Sequence, residues 1–207
     1  MCGRFSLRAD IDTVSTHFGL RYNAVLKPRY NIAPGNVIPL IRQNGLLEFV
    51  NWGLKPNWLK TDQNPFINAR METLTEKPAF KQLYKRQRCL IIADGYYEWK
   101  QVGKIKQPYF ISMSGDKLFA FAGLWDADSC CIITKTPTQE GLALIHDRMP
   151  VILDEQSYAA WLDPKTSENE LQNHMRNINL TTLQIFPVST KTNNPKYDFA
   201  ECIKALQ

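Results

Sequence analysis

The sequence predicts an α+β fold in which a curved antiparallel β-sheet forms a barrel-like core with flanking helices. Strand-like segments outnumber helical ones, and many are separated by short turns such as Asn44-Gly45 and Asp94-Gly95, which favour β-hairpins. No repeat, low-complexity tract or linker interrupts the 207 residues. We therefore expect a single domain spanning residues 1–207.

Residues that favour helix boundaries predict several short helices. Asp10 is the expected N-cap of a helix that runs to Phe18 and stops at Gly19. In a second predicted helix, Phe80, Leu83 and Tyr84 share a face. A third runs from Asp154 to Trp161, and a fourth runs from Ser167, which forms a capping box with Glu170, to about residue 177. The last predicted helix covers residues 197–206.

Short apolar or alternating runs between turn residues predict the strands. Asn44-Gly45 is the strongest hairpin signal, whereas residues 29–35 are rich in turn formers and predict a structured loop. The predicted strands are residues 3–7, 37–42, 46–52, 89–93, 96–100, 109–113, 118–122, 131–134, 149–153 and 183–188.

Composition excludes several classes of protein. No apolar run approaches the roughly 20 residues of a membrane span, and the first residues do not resemble a secretory signal. The five cysteines include no C-x-x-C pair, so neither a zinc site nor a disulfide framework is predicted. We expect a soluble cytoplasmic monomer without metal or organic cofactor.

Positive charge is concentrated in the first half of the chain. Residues 1–106 contain 17 Lys and Arg against 8 Asp and Glu, a net charge of +9, whereas residues 107–207 contain 8 against 12, a net charge of −4. This asymmetry favours a polyanionic partner such as nucleic acid. A solvated lysine-rich surface around residues 77–88 explains the charge equally well.

Cys2 is the first candidate for chemistry. Methionine aminopeptidase removes Met1 when the second residue is small, which would leave Cys2 with a free α-amine beside its thiol. The two groups titrate at roughly 8 and 8.5 in water, and we expect Arg4 to lower the thiol pKa. A 1,2-aminothiol attacks an aldehyde through the amine and then closes a thiazolidine ring through sulfur.

Other polar residues stand within apolar or aromatic sequence. Asn68 and Arg70 would share one face of an extended segment, although Asn68 also fits a helix cap. Glu98 lies between two aromatic residues, which predicts a raised pKa and a general-acid role; a cross-strand lysine partner is the alternative.

His146 and Arg148, two residues apart, also predict one face of a strand. Histidine is the natural proton carrier near neutral pH, but His146 also fits an ordinary loop histidine.

Six motifs together resemble the SRAP (SOS response-associated peptidase) domain family, over nearly the whole chain. In order they are Met1-Cys2-Gly3-Arg4-Phe5, Tyr30-Asn31-Ile32-Ala33-Pro34, Trp52-Gly53-Leu54, Asn68-Ala69-Arg70-Met71-Glu72-Thr73, Ala93-Asp94-Gly95-Tyr96-Tyr97-Glu98-Trp99 and His146-Asp147-Arg148-Met149-Pro150.

The resemblance implies an SRAP fold and DNA-protein crosslinking at abasic sites in single-stranded DNA, as part of the DNA damage response. By this resemblance, Cys2 forms the Schiff base and then the thiazolidine, and Asn68 positions the sugar. Glu98 helps to open the sugar ring, and His146 transfers protons. It also implies nucleoid association when DNA is bound. A lyase side-activity is expected because the imine is an intermediate.

The DNA-binding assignments follow from the same resemblance. Arg4, Arg70 and Arg148 are expected to hold phosphates. Trp52 is expected to line the strand path and stack bases. The loop that contains Asn31 and Pro34 is expected to line the same path.

Other activities also fit an N-terminal Met-Cys-Gly. Class II glutamine amidotransferases use a processed cysteine as nucleophile and its amine as base, but they require a partner domain that the sequence does not suggest. Self-cleavage after Met1 or a Cys2–His146 peptidase dyad is a related alternative. A non-catalytic single-strand DNA-binding module is the third.

Overall fold

The computed structural model describes residues 2–20, 25–56, 58–60, 62–176 and 183–206. Its architecture is mixed α+β, as predicted, and is built on two sheets. The strands are β1 (Phe5–Leu7), β2 (Arg29–Ile32), β3 (Val37–Ile41), β4 (Leu47–Trp52), β5 (Asn68–Arg70), β6 (Arg88–Ala93), β7 (Gly95–Val102), β8 (Ile105–Met113), β9 (Phe119–Asp126), β10 (Ser129–Lys135), β11 (Met149–Pro150), β12 (Ile152–Leu153) and β13 (Leu183–Pro187).

The larger sheet closes on itself as a five-stranded barrel. The hydrogen-bonded circuit runs β10–β4–β3–β6–β9 and returns to β10, because β10 pairs with both β4 and β9. Closure leaves these five strands without a free edge. The sequence predicted antiparallel pairing throughout, and this is wrong at β10, which runs parallel to β4 and to β5.

The smaller sheet has the antiparallel order β13–β8–β7–β1–β2. It carries β1, which follows the candidate Cys2, and β7, which contains Glu98. Gly95 begins β7 where a Cβ atom would lie 2.1 Å from Phe110 Cζ, so only glycine fits there. This close contact lets β7 start next to β1, with Gly95 paired to Ser6.

Among the described residues, five short α-helices surround the sheets, together with 3-10 turns at Met71–Thr73, Glu155–Ser157, Thr190–Asn193 and Ala200–Ile203. The helices are α1 (Ile11–Phe18), α2 (Pro78–Arg86), α3 (Glu140–Ala143), α4 (Tyr158–Leu162) and α5 (Glu168–Arg176).

The helix predictions are largely confirmed. The Asp10 carboxylate accepts a hydrogen bond from Thr13 N, as expected of the N-cap of α1. The helix predicted over residues 197–206 is wrong, because only the 3-10 turn Ala200–Ile203 forms there. The predicted end of α5 near residue 177 lies outside the described residues.

Apolar side chains fill the barrel and the space between it and the smaller sheet. Phe5 of β1 packs against Trp52 and Phe121 of the barrel, with ring centroids 5.1 and 5.8 Å apart. Cys2 belongs to this buried cluster, so the start of the chain is anchored between the two sheets. Within the described part of the chain, no helix is long and apolar enough to span a lipid bilayer.

Candidate functional site

Cys2 is held in place by contacts on both sides of its peptide unit. Its side chain is 0% exposed, and its thiol lies 4.0 Å from the carbonyl oxygen of Arg4. Asn68 Nδ2 donates a 2.9 Å hydrogen bond to the Cys2 carbonyl oxygen. Strand β5 therefore fixes the backbone of Cys2 from the barrel side.

The environment of Cys2 favours the neutral thiol. Burial raises the pKa of Cys2, and the nearby Glu98 carboxylate raises it further. The expectation that Arg4 gives Cys2 a lowered thiol pKa is wrong, because burial outweighs the small opposing effect of a backbone hydrogen bond with Arg4. The Arg4 guanidinium is instead directed to Asn31 Oδ1 at 2.8 Å and to the Thr192 carbonyl at 3.0 Å.

Glu98 is a buried carboxyl group on β7. Its residue is 3% exposed, and it lies opposite Tyr109 of β8 rather than opposite a lysine. Burial raises the pKa of Glu98 to about 8. The raised pKa predicted from its aromatic neighbours is confirmed, and the group is mostly protonated at neutral pH, as a general acid must be.

His146 shares a cleft with Glu98. The cleft has a volume of about 500 Å³ and is lined by Arg4, Glu98, Trp99, Gln101, Lys106, His146 and Asn193. The His146 Nδ1 atom lies 3.0 Å from Arg148 N and 2.8 Å from Asp147 Oδ1, so the residues that follow His146 fix the orientation of its ring. Burial lowers the pKa of His146, which leaves the ring neutral at pH 7.

Asn68 and Arg70 line a second cleft, which Asn68 connects to the backbone of Cys2. Both point outward from β5 while Ala69 is buried, which confirms that they share a face and excludes the helix-cap alternative for Asn68. This cleft of about 570 Å³ is mainly apolar and is lined by Trp58, Phe66, Asn68, Arg70, Lys77, Pro78, Ala79 and Phe80. The Asn68 contact to Cys2 links the two clefts.

Two predicted DNA contacts are core residues, and their assignment is corrected. Trp52 is 0% exposed, packs on Phe5 and donates from Nε1 to the Ile67 carbonyl at 3.0 Å, so it has no free face for a base. Asn31 is also fully buried, and its amide donates to the carbonyl oxygens of Thr192, Asn194 and Tyr197.

Arg148 also differs from the expectation. Its guanidinium forms two hydrogen bonds with Glu72, at 2.8 and 2.9 Å, and another with the Thr134 carbonyl. Its side chain is only 10% exposed. A phosphate would have to displace Glu72, so we assign Arg148 to anchoring the His146 loop. The predicted strand face is wrong as well, because the chain bends at Asp147 before β11 begins.

The remaining predicted contacts are accessible. Arg70 is exposed, and Pro34 is half-buried in the turn before β3. Arg4 is half-buried, with its guanidinium 5.7 Å from the Trp99 ring centroid at the wall of the Glu98 cleft. These three residues stay candidates for contact with DNA.

Several residues of the two clefts were given no role from the sequence. Trp58 is one of them, and it is 60% exposed beside Asn68 and Arg70. Trp99 was within a recognised motif, but no role was assigned to it. Asn193 comes from a distant 3-10 turn, where it accepts a hydrogen bond from Trp99 Nε1 at 2.7 Å. Only the tertiary structure shows that Asn193 lies in this cleft.

The sites hold no cluster of metal ligands. Across the described ranges, no group of three or more His, Cys, Asp or Glu side chains is placed to bind a metal ion. All five cysteines are buried free thiols, so none forms a disulfide.

Comparison with known proteins places this geometry in a family. The chain is 39% identical to the abasic site processing protein YoaM of Bacillus subtilis, over 99% of this chain and 98% of that protein. It is 31% identical to the abasic site processing protein YedK of Escherichia coli, over the full length of both. A crystal structure of a protein from Bacteroides thetaiotaomicron, 23% identical, has the same fold, with a TM-score of 0.87 and full coverage of both chains.

The family model of the SOS response associated peptidase (SRAP) matches residues 1–195. Together with the full-length similarity to YoaM and YedK, this match shows that the chain belongs to the SRAP family.

Proposed function

We propose that this protein processes abasic sites by binding single-stranded DNA and forming a covalent crosslink between Cys2 and the aldehyde of the abasic deoxyribose. The observation that carries the proposal is the position of Cys2 between Asn68, which holds its backbone, and the buried carboxyl group of Glu98, which lies close enough to influence the thiol. The names of YoaM and YedK support the same substrate.

The first chemical step forms an imine. Removal of Met1 frees the Cys2 amine, which adds to C1′ of the open-chain sugar and gives a carbinolamine. Glu98, protonated because its pKa is about 8, donates a proton to the departing hydroxyl group, which leaves as water. Neutral His146 takes up the proton that the amine releases.

The second step closes the ring. The Cys2 sulfur adds to the imine carbon, the C=N double bond becomes a single bond, and the thiol proton moves to the nitrogen. The product therefore has the mass of protein plus DNA minus one water. Holding amine, thiol and aldehyde together removes much of the entropic barrier. Closure also removes the imine that promotes β-elimination, so the strand is shielded from cleavage and a lyase activity stays a side reaction.

The thiol pKa argues for this chemistry over cysteine hydrolysis. A hydrolase or peptidase needs a thiolate nucleophile, whereas burial keeps the Cys2 thiol protonated. Ring closure onto an electrophilic imine does not require a preformed thiolate, because the proton leaves as sulfur adds.

We propose that the DNA strand crosses both clefts. Trp58 and Phe66 offer ring faces in the apolar cleft, where stacking on an exposed aromatic ring is worth roughly 1–3 kcal/mol per base. Arg70 lies beside them and Arg4 lies at the Glu98 cleft, so a cation is available at each cleft for the phosphates.

The test is a denaturing gel. Protein with Met1 removed is mixed with a single-stranded oligonucleotide that bears one abasic site, and a band that survives denaturation is expected. Protein that retains Met1 should give no band, because an acylated nitrogen cannot form the imine. Nicked DNA without adduct would indicate a lyase, and intact free DNA would contradict the proposal.

A further inference from the structure

The β7–β8 hairpin extends beyond the cleft that contains Glu98. Its strand pairing continues outward from Glu98↔Tyr109 to Val102↔Ile105 at the tip. Four residues of strand correspond to about 13 Å. The tip therefore lies one residue pair beyond Gln101 and Lys106, which line the cleft, and shares a continuous strand with Glu98.

The tip exposes an apolar pair. Val102 is 53% exposed and Ile105 is 58% exposed, and the two lie directly opposite each other. Because side chains alternate along a strand, Val102 lies on the same face of β7 as Glu98. This face leads from the catalytic carboxyl group to an exposed aliphatic platform.

The hairpin is also positively charged. Residues 99–107 contain Lys100, Lys104 and Lys106 and no Asp or Glu. Lys104 and Lys106 are exposed, and Lys100 is half-buried. An aliphatic surface flanked only by cations complements a nucleic acid, which offers apolar base faces between phosphates.

The hairpin is held at its base and at its tip. Asn193 accepts from Trp99 Nε1 at 2.7 Å and donates to the Lys106 carbonyl at 3.1 Å. Gln101 Nε2 donates to the Gly103 carbonyl at 2.8 Å. Such bracing presents the platform in one orientation, which lowers the ordering cost of binding.

We propose that the β7–β8 hairpin is a DNA-binding arm that holds the strand flanking the abasic nucleotide. Val102 and Ile105 cover the face of a base, and Lys100 and Lys104 neutralise the adjacent phosphates. The inference rests on the proposed function, because it assigns the arm to the same DNA.

The experiment measures second-order crosslinking rates on two substrates, a trinucleotide with a central abasic site and a fifteen-nucleotide strand with the same centre. The wild type should react faster with the longer strand. Val102→Ser combined with Ile105→Ser should reduce the longer-strand rate about fivefold, at the low end for loss of one base contact. The trinucleotide rate should not change, which also shows that the variant is folded.

Salt dependence tests the lysines separately. The salt slope is the steepness with which the logarithm of the longer-strand rate falls as the logarithm of the salt concentration rises. Lys100→Gln combined with Lys104→Gln should lower this slope by about 1.4, at roughly 0.7 for each charge removed. Lys117→Gln with Lys165→Gln, both exposed outside this hairpin, is the matched control and should leave the slope unchanged.

Three outcomes separate the explanations. The longer-strand advantage is the faster crosslinking of the fifteen-nucleotide strand than of the trinucleotide. If both hairpin variants keep this advantage, or the control variant loses it equally, the proposed DNA-binding arm is refuted. If no variant and no wild-type protein crosslinks either substrate, the proposed function itself fails. Loss of the advantage in the hairpin variants alone supports the arm.

Discussion

Asn68 donates a hydrogen bond from Nδ2 to the Cys2 carbonyl oxygen over 2.9 Å, while its own Oδ1 is buried and has no hydrogen-bond partner among the described residues. One half of the amide therefore positions the candidate nucleophile. The other half is an acceptor whose burial without a partner costs free energy. A hydroxyl group of a bound sugar would satisfy it.

Asn68→Ala should slow crosslinking about tenfold at saturating DNA, the effect of losing one hydrogen bond in the transition state. Affinity for a tetrahydrofuran abasic analogue, which has no aldehyde, should change much less. Asn51→Ala, at an exposed position of β4, is the control. Equal losses of rate and affinity would assign Asn68 to binding alone.

The crosslinking rate should have a bell-shaped pH dependence. Because protonated Glu98 is the acid, the rate should fall as pH rises through about 8. The rate should also fall as pH drops, because the Cys2 amine must be unprotonated to attack and because neutral His146, whose pKa is lowered from 6.5, is the base.

Two variants check these assignments. Glu98→Gln should react more slowly and lose the decline near pH 8, and His146→Gln should react more slowly and keep only the low-pH decline that protonation of the Cys2 amine causes. A Glu98→Gln profile with its alkaline limb intact would show that another group is the acid.

Glu98 should also make stability depend on pH. Its pKa is raised from an ordinary 4.5 to about 8 in the folded protein, so the folded state binds more protons than the unfolded state between these values. The contribution of Glu98 to stability should therefore decrease as pH rises from about 4.5 to 8. Glu98→Gln lacks this contribution.

The measurement is the midpoint of thermal unfolding. The midpoint of Glu98→Gln minus that of the wild type should increase from pH 5 to pH 8. A constant difference across this range would mean that the Glu98 pKa is not raised by burial.

Arg70→Ala should weaken binding to single-stranded DNA and lower the salt slope by about 0.7, because one phosphate contact is lost. Arg70 is exposed at the edge of the apolar cleft. Arg86→Ala, which removes an exposed arginine from the end of α2, is the comparison. The same slope in wild type and Arg70→Ala would rule out the phosphate role.

The sequence predicted the local structure well where the signal is local. Asn44-Gly45 does connect β3 and β4, with Gly45 at a φ of +72°, and Glu98 is buried among aromatic residues as expected. Pairing between distant segments was not predicted, because barrel closure through β10 depends on contacts between residues far apart in the chain.

The candidate site shows the same difference between local signals, which the sequence reveals, and contacts between distant residues, which it does not. The motifs singled out Cys2, Asn68, Glu98 and His146, whose catalytic roles stay proposals. Trp52 was misassigned because an aromatic residue in a motif has the same appearance in sequence whether it packs on Phe5 or faces a ligand. Arg148 was misassigned because Glu72, its partner, lies 76 positions away.

The central claim is tested most directly by the mass and attachment point of the adduct, measured before and after borohydride treatment. A thiazolidine should give the mass of protein without Met1 plus DNA minus one water, map to Cys2, be absent from Cys2→Ala and resist reduction. An adduct that gains two hydrogens is an open imine. An adduct on another residue, or one that persists in Cys2→Ala, would contradict the account.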